Sequence, residues 1–369
     1  MKTVRRLFHR DIVSSVAFVA LAFLSLFFFI DFVEELADVG KGYTVLHAVA
    51  HSLLQAPAHL YELMPIAVLI GTIYALARLA QSSEYTILRT GGLGPGRALS
   101  LLAQLGLAFA VVTYVTGDWI APYSERQATE LLARAKGKQR IGAAGAWLKD
   151  KHMTSAGELN YSVNVGSAGA DGSMHDVRIF EFDSDGRLVR RIGAARASIG
   201  DNDTWQLEDV RVTHWTPGGD AAHAAASEEK LATLAWPSTL SASVVAAAVL
   251  PLSTMSTIEL FRYIGHLADN EQAAQRHEIQ FWKRALYPFA CLVMMALALP
   301  FAYLHARAGG VSLKVFAGIM LGISFVLLNN MAGHLGLLRD WTPWITAAAP
   351  SALFLLVSLA AFSWLVRYR

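Results

Sequence analysis

The sequence predicts an α-helical membrane protein with six transmembrane helices and an all-β, jelly-roll-like domain inserted between helices 3 and 4. Hydrophobic residues make up 54% of the 369 residues and charged residues only 16%, with a mean hydropathy of +0.39. That composition is too apolar for an ordinary soluble protein of this length. The middle of the chain instead alternates apolar and polar residues in short segments separated by turn residues, which is typical of β-strands.

Long apolar runs place the transmembrane segments. Four runs have no charged residue and approach the ~20 residues that a spanning helix needs: residues 12–30, 98–117, 285–304 and 341–366. Two further runs, about 60–77 and about 315–333, are less clean but are also predicted to span. The spans therefore divide into helices 1–3 within residues 1–121 and helices 4–6 within residues 282–369, with the insert at 122–281.

Basic residues concentrate in alternate loops, and this asymmetry predicts the orientation. They lie before the first span, between the second and third, between the fourth and fifth, and at the C-terminus. Short loops rich in Lys and Arg stay in the cytoplasm. Both termini are therefore predicted to be cytoplasmic, and the insert lies on the opposite side of the membrane.

The insert is predicted to have a β core at about 140–240 and a connecting helix at about 256–275. Five segments alternate as strands do: GAWLKD, LNYSVNV, DVRIFEF, RLVRRIGAARASI and TWQLEDVRVTHW. Ser256 and Glu259 have the spacing of a capping box at the start of a helix. Leu260, Phe261, Ile264 and Leu267 follow at helical spacing. The sequence from Phe281 to Arg284 indicates an interfacial anchor of aromatic and basic residues before the fourth span.

The sequence lacks the signatures of catalysis and of cofactor binding. No GxxxxGK[ST] phosphate loop and no nucleophile elbow is present. His47, His51, His59 and Glu62 fall in one segment, but without an HExxH arrangement or a cysteine, so no metal site is expected. Few ionisable residues lie deep in the spans, which argues against a proton-coupled carrier. We therefore expect no enzyme activity, no bound cofactor and no nucleic-acid partner.

A short charged stretch, LARLAQSSEYTILRTGGLGPGRA at residues 76–98, separates the second and third spans. Within its segment 81–97, one acid and several apolar side chains come just before the glycines that stop the helix: Glu84, Tyr85, Ile87, Leu88 and Arg89. A short rigid helix of this kind could dock into a groove of a soluble partner, with Glu84 meeting a basic group there. A solvated turn with ordinary helix caps is the alternative.

The stretch LARLAQSSEYTILRTGG resembles the cytoplasmic segment of the lipopolysaccharide export permeases, the YjgP/YjgQ or LptF/LptG family. The resemblance continues at residues 118–122, 147–149 and 205–207, and it covers essentially the whole chain. Between the two paralogous subunits, the sequence at 31–36 with Gly40 is more similar to the LptG type than to the LptF type.

The resemblance implies a permease subunit of an ABC transporter that extracts lipopolysaccharide from the inner membrane of a Gram-negative bacterium and passes it to a periplasmic bridge. It implies as partners an LptF-type permease, an LptB-type ATPase dimer and an LptC-type single-span protein. ATP and Mg would be used by the ATPase. Its interface with this chain would be formed by Glu84, Tyr85, Ile87, Leu88 and Arg89. The β insert would be periplasmic.

Extraction of a lipid needs an apolar path, because exposing each buried CH₂ to water costs ~0.8 kcal/mol. The resemblance implies that the first and fifth spans form a lateral gate towards the other permease. Their apolar residues predicted to line the lipid cavity are Phe23, Phe27, Ile30, Phe316, Met320, Ile323 and Leu327. Gly318 and Gly322 are expected to allow close helix packing. Each of these residues could instead face lipid or the bundle core.

At the periplasmic rim the sequence departs from the family pattern. Relatives often have lysines just after the first span, where they can meet lipid A phosphates, whereas this chain has acids. The residues predicted to form the rim are Asp31, Glu34, Lys41, Arg134 and Lys136, with Glu35, Asp38 and Arg126 nearby. Three explanations stay open: a cation bridges acids and phosphates, the bases hold the phosphates, or the lipid contact differs.

Two alternatives to lipopolysaccharide export also remain at this point. The chain could be a membrane anchor without transport activity, whose β domain binds envelope partners. It could also be a permease of the same build for another lipid, and the acidic rim keeps that alternative open.

Overall fold

The computed structural model forms two compact units, one built from membrane helices and one from a β-sheet. The residues that it describes are 2–40, 42–82, 90, 94–136, 145–154, 157–168, 173–200, 204–216, 225–238, 240, 244–245, 248, 252, 255–269, 274–303 and 310–368. The helical unit comprises Met1–Asp38, Ala48–Glu125 and Gln275–Arg369, and the β unit comprises Val39–His47 and Arg126–Ala274.

The helices of the described chain include six segments that are long and apolar enough to cross a membrane. The α-helices of the described residues, in chain order, are α1 (Lys2–Leu36), α2 (Val45–Gln81), α3 (Pro95–Val115), α4 (Ala121–Lys136), α5 (Thr257–Asp269), α6 (Gln275–Ala298), α7 (Pro300–Tyr303), α8 (Val311–Leu338) and α9 (Pro343–Tyr368). Helices α3 and α4 belong to one continuous candidate span, Gly96–Leu132. The prediction of six membrane helices is confirmed.

Helix α2 lies at the centre of the helical unit. In its most apolar window 78% of the residues are buried, against 11% in α1 and 22% in α8. A helix that is apolar all round needs neighbours on every side, and α2 obtains a close one through Gly71. A Cβ atom at Gly71 would lie 2.6 Å from the Cα atom of Val16, so the backbones of α1 and α2 touch where any side chain would separate them.

A π-helical turn, Thr116–Ile120, joins α3 to α4. The predicted third span stops at Gly117, whereas helical structure continues through this turn to Lys136. A π-helical turn widens the helix by one residue and is frequent at functional positions. Here it places Thr116, Gly117 and Asp118 in the interior of the helical unit.

The β unit contains one antiparallel sheet of six described strands, joined in the order β1-β2-β3-β4-β5-β6. The strands are β1 (Ala146–Thr154), β2 (Gly157–Ala168), β3 (Met174–Phe182), β4 (Leu188–Ile199), β5 (Thr204–Thr216) and β6 (Ala225–Pro237). The predicted all-β insert is confirmed. Its described strands form a meander, whereas a jelly roll has two Greek keys, and β6 was not among the predicted strands.

A crease crosses the sheet where one pair of opposite residues is left out between each two neighbouring strands from β2 to β6. The register is the same on both sides of the residues left out of the pairing, which are Gly166, Asp176, Ala195, Asp209 and Ala232. Asp176 and Asp209 have φ angles of 53° and 50°, a left-handed conformation that Asp tolerates better than most residues. Side chains on one face of a strand are normally two positions apart, and the residue left out of the pairing shifts this alternation by one. Leu207 and Val210 are therefore both buried although they are three positions apart.

Helix α5 begins with the predicted capping box. The Ser256 amide donates to Glu259 Oε2 at 2.9 Å, and the Glu259 amide donates to Ser256 Oγ at 3.3 Å. The buried face of the helix comprises Leu260, Tyr263 and Leu267. Phe261, which the spacing placed with the apolar set, is exposed.

Candidate functional site

The predicted docking segment between α2 and α3 falls largely outside the described residues. Glu84, Tyr85, Ile87, Leu88 and Arg89 all lie outside them. The described flanks show how the segment is anchored. Arg78 in the last turn of α2 donates to Asp11 Oδ2 of α1 at 2.9 Å, and α3 starts at Pro95 after an extended Gly94. The ends of this segment are therefore fixed to the helical unit.

Four of the predicted lipid-cavity residues form an exposed stripe on α8. Phe316, Met320, Ile323 and Leu327 are between 45% and 58% exposed. Their spacing of four, three and four residues places them on one side of the helix. The described chain leaves that face uncovered, and their assignment to a lipid cavity stays a prediction.

The opposite side of α8 packs against α2 through glycines. A Cβ atom at Gly318 would lie 2.7 Å from Ile73 Cδ1, and one at Gly322 would lie 2.9 Å from Ile66 Cγ2. The expected close packing at these glycines is confirmed. Helix α8 therefore has one side fixed to the centre of the unit and one apolar side free to meet lipid or another chain.

Helix α1, whose C-terminal half the sequence predicts to be the outer one, also has a buried and an exposed part. Its inward stripe of buried residues ends at Ala20, and from Leu21 to Leu36 none of the described residues is buried. Ile30 is 41% exposed, whereas Phe23 and Phe27 are half-buried. Phe27 packs against the His59 ring of α2, with 4.9 Å between ring centroids.

Two acids of the rim join α1 to histidines of α2. Asp31 Oδ2 lies 2.7 Å from His59 Nε2, and Glu35 Oε1 lies 3.3 Å from His51 Nδ1. Only Glu34 of the predicted α1 acids points away and is exposed. Two of the rim acids thus hold the outer half of α1 against α2. No group of three or more metal-ligating side chains occurs among the described residues.

The bases predicted for the rim have different surroundings. Lys41 lies outside the described residues, and Lys136 is the last residue of α4. Arg134 pairs with Glu130 one turn earlier in α4. Arg126 Nη2 donates to both carboxylate oxygens of Glu259 at 2.5 Å, so it is engaged at the start of α5.

The Arg126 contact also governs the titration of Glu259. Burial alone would raise the pKa of this carboxyl group, but hydrogen bonds from Ser256 and the ion pair with Arg126 outweigh burial and lower it. A carboxylate that accepts several hydrogen bonds beside a cation is stabilised in its charged form. Glu259 therefore stays ionised and connects α4 to α5.

A buried polar junction in the helical unit was missed by sequence reasoning. Arg284 of α6, predicted as an interfacial anchor, is only 7% exposed and donates from Nη2 to the carbonyl oxygen of Gly117 at 2.6 Å. The Tyr61 ring of α2 occupies the space where a side chain at Gly117 would lie, and the Arg284 guanidinium lies 5.8 Å from its centroid. Three spans therefore meet at the π-helical turn.

Tyr287 completes this junction. Its ring packs against Tyr61 with 4.9 Å between centroids, and its hydroxyl donates to the backbone carbonyl of Glu62. Ionisable residues buried in membrane helices are costly and are usually retained for a function. A partial signal is present in the sequence, because Arg284 follows three residues typical of an interfacial anchor. Its inward position is shown only by its partner, a carbonyl 167 positions away.

The fold defines a class of protein: a membrane protein with six candidate spans and a β domain inserted between the third and fourth. The apolar faces of α1 and α8 that the described chain leaves exposed can meet lipid or another chain.

The chain belongs to the lipopolysaccharide export system permease LptF/LptG family, whose model matches residues 6–365. It is 26% identical over 366 residues to the lipopolysaccharide export system permease protein LptG of Haemophilus influenzae, covering 97% of each chain. It is 27% identical to LptG of Escherichia coli K12, covering 89% of each. The match to LptF of the same strain is 26% over 43% of this chain. The resemblance to this family and its LptG type, drawn from short motifs, is confirmed.

Proposed function

We propose that the chain is the LptG-type permease subunit of an exporter that extracts lipopolysaccharide from the inner membrane and passes it towards the outer membrane. The observation that carries the proposal is the end-to-end correspondence with the family, which includes all six spans and the β insert. A relationship over 97% of both chains supports the same overall task.

The proposal assigns energy supply to a partner. The chain has no phosphate loop, and the segment 81–97 would carry movement from an LptB-type ATPase dimer to the spans, with Glu84 meeting a basic group in the ATPase groove. Helix α2, which leads into this segment, contacts α1 and α8. Movement of the segment would therefore reach both helices with bare apolar faces.

The lipid path would lie between this chain and an LptF-type permease. Acyl chains need an apolar surface, since about a dozen exposed CH₂ groups cost ~10 kcal/mol per chain. The stripe on α8 and the outer half of α1 supply such a surface. An LptC-type protein and the periplasmic β unit would continue the path beyond the membrane. Both termini of this chain would lie in the cytoplasm.

The test is reconstitution of the chain with its genomic neighbours in vesicles and measurement of ATP-dependent lipopolysaccharide release. Glu84→Lys should abolish release because a cation would face the basic group of the ATPase groove. Glu229→Lys provides a matched charge reversal on exposed strand β6 and should leave release unchanged.

The other outcomes separate the remaining alternatives. If no ATPase co-purifies and no lipid leaves the vesicles, the chain is an envelope anchor. If ATP drives release of another lipid while lipopolysaccharide stays, the permease assignment holds and the substrate is wrong. If exporters with Glu84→Lys and with Glu229→Lys release as much lipid as the unmodified exporter, the proposed coupling role of segment 81–97 is wrong.

A further inference from the structure

A basic depression opens on the solvent face of the sheet in the β unit, opposite its buried side. It has a volume of about 390 Å³ and is bordered by four bases and two acids: Arg178, Arg191, Arg211, Lys230, Asp176 and Asp209. Its floor comprises Gly193 and two alanines of β4. Small residues on the central strand and long ones on both sides make the surface concave.

The strand register explains why the bases surround the floor. One row across the sheet runs Arg178, Gly193, Arg211, Lys230 on β3 to β6. Arg178 and Arg211 are thus two strand spacings apart, about 9.6 Å, and Gly193 between them has no side chain. Long side chains from both can reach one group held above Gly193.

The row contains a destabilising pair. Arg211 and Lys230 stand directly opposite each other on neighbouring strands, and like charges in that position cost stability. Ion pairs reduce the repulsion: Arg211 Nε lies 2.9 Å from Glu228 Oε1, and Arg178 Nη2 lies 2.9 Å from Asp176 Oδ2. Among the described residues Lys230 makes no ion pair, so the four bases outnumber the three acids Asp176, Asp209 and Glu228.

Arg191 adds a base that makes no ion pair with a carboxylate of the described chain. Its guanidinium lies over the Phe180 ring, 5.7 Å from the centroid. Such stacking orients the planar group and leaves its N–H edge available. The depression therefore offers oriented guanidinium donors on one side and the carboxylate acceptors Asp176 and Asp209 along the crease.

We propose that this depression binds the phosphorylated saccharide portion of the exported lipid. Guanidinium groups match phosphate oxygens, the two carboxylates can accept hydrogen bonds from sugar hydroxyls, and the volume lies in the range of ligand sites, about 300–1,000 Å³. The charged lining excludes acyl chains. The proposal rests on the proposed function, because it takes its ligand from the transported lipid.

The test uses the full-length protein in detergent and deacylated lipopolysaccharide as the probe, with binding measured by titration calorimetry. Arg211→Gln and Lys230→Gln should each weaken binding roughly tenfold, the loss expected for one charge-assisted contact. Arg187→Gln, in the exposed turn between β3 and β4, is the matched control and should bind as the unmodified chain does.

Two further measurements distinguish binding from damage to the fold. Lys230→Gln removes the repulsion from Arg211, so its Tm should equal or exceed that of the unmodified chain while its affinity falls. Phosphatase-treated saccharide should bind at least tenfold more weakly than the untreated probe if phosphate contacts dominate. Unchanged affinity in Arg211→Gln and Lys230→Gln overturns the proposal, as does inorganic phosphate binding as tightly as the saccharide.

Failure of this inference is separable from failure of the proposed function. If the reconstituted exporter releases lipopolysaccharide but the chain binds no deacylated probe, only the saccharide site is wrong. If the probe binds and Arg211→Gln weakens it, but no lipid is released with ATP, the site stands and the export function is wrong.

Discussion

Arg284 is a single buried cation on which the packing of three spans depends. Replacing it by Met keeps similar length but removes the donor to the Gly117 carbonyl and the positive charge in the junction. A hydrogen bond from a charged donor contributes about 1.5–3 kcal/mol to stability. We expect Arg284→Met to lower the Tm of the purified protein by several degrees, measured by tryptophan fluorescence on heating.

The control for this prediction is Arg276→Met, which replaces an exposed arginine of the same helix α6 and should change Tm little. Arg284→Lys should fall between the two, since the ammonium keeps the charge but not the forked donors. A Tm for Arg284→Met equal to that of Arg276→Met would show that the junction contributes nothing to stability.

Glycines at helix contacts provide a prediction at the scale of elements. A Cβ at Gly71 meets backbone atoms of Val16 at 2.6 Å, whereas a Cβ at Gly318 meets only the tip of Ile73, its Cδ1 atom, at 2.7 Å. A side-chain tip can rotate away, but backbone has to move with its helix. Gly71→Ala should therefore lower Tm clearly more than Gly318→Ala.

Both substitutions add one methyl group within a helix, where Ala is favoured over Gly by about 1 kcal/mol. Gly318→Ala can consequently be neutral or stabilising, and it serves as the matched control. Equal losses of Tm in the two variants would contradict the close approach of α1 and α2.

The capping box of α5 predicts a pH dependence. The pKa of Glu259 is lowered in the folded chain from its ordinary value of 4.5, because hydrogen bonds from Ser256 and the ion pair with Arg126 outweigh its burial. A lowered folded pKa gives stability that is complete above the unfolded value and is lost as pH falls through the folded one. The Tm difference between the unmodified chain and Glu259→Gln should be constant near neutral pH and shrink below pH 4.5.

Ser256→Ala tests the same cap without a change of charge. Loss of a helix-capping hydroxyl costs about 1 kcal/mol. Because Ser256 Oγ also donates to Glu259 Oε2 at 3.0 Å, part of this loss should shrink as pH falls and the carboxylate is protonated. A Tm difference for Glu259→Gln that grows as pH falls would show that the carboxyl group is not held in its charged form.

Local patterns predicted the elements whose causes are local. Uncharged runs of bilayer length gave the spans, and the Ser256 and Glu259 spacing gave the start of α5, since both signals lie within one helix. Strand β6, AASEEKLATLAWP, was not predicted, because alanines and charged residues dominate it and it has few β-branched residues. Only pairing with β5 makes it a strand.

The sites were less predictable because their partners are distant in sequence. His59 reaches Asp31 across 28 positions, and Arg284 reaches Gly117 across 167. The crease is also a property of paired strands: Asp176 and Asp209 look like ordinary polar strand positions until their neighbours are known. Periodicity did place the α8 stripe on one face, because that requires only the helical repeat.

At the scale of the whole molecule, α1 and α8 each have an apolar face that the described chain leaves exposed. Such a face can meet lipid or a second subunit. The resemblance to the family predicts that these faces meet an LptF-type permease. The native Cys291 is buried, so a cysteine placed at Met320 is the accessible one. We expect Met320→Cys to form a cross-link with a cysteine-bearing partner permease in membranes, detected as a heterodimer on denaturing gels.

Leu353→Cys on α9 is the matched control, because Leu353 is 48% exposed and Met320 is 47% exposed, so the described chain covers the two positions to a similar extent. If α8 faces the second permease, only Met320→Cys yields the heterodimer, and addition of lipopolysaccharide should reduce it because acyl chains compete for the same apolar stripe. Equal cross-linking at both positions would mean random collision in the bilayer. Cross-linking at Leu353 alone would show that the subunit interface lies at α9 and that the α8 stripe faces the surrounding lipid.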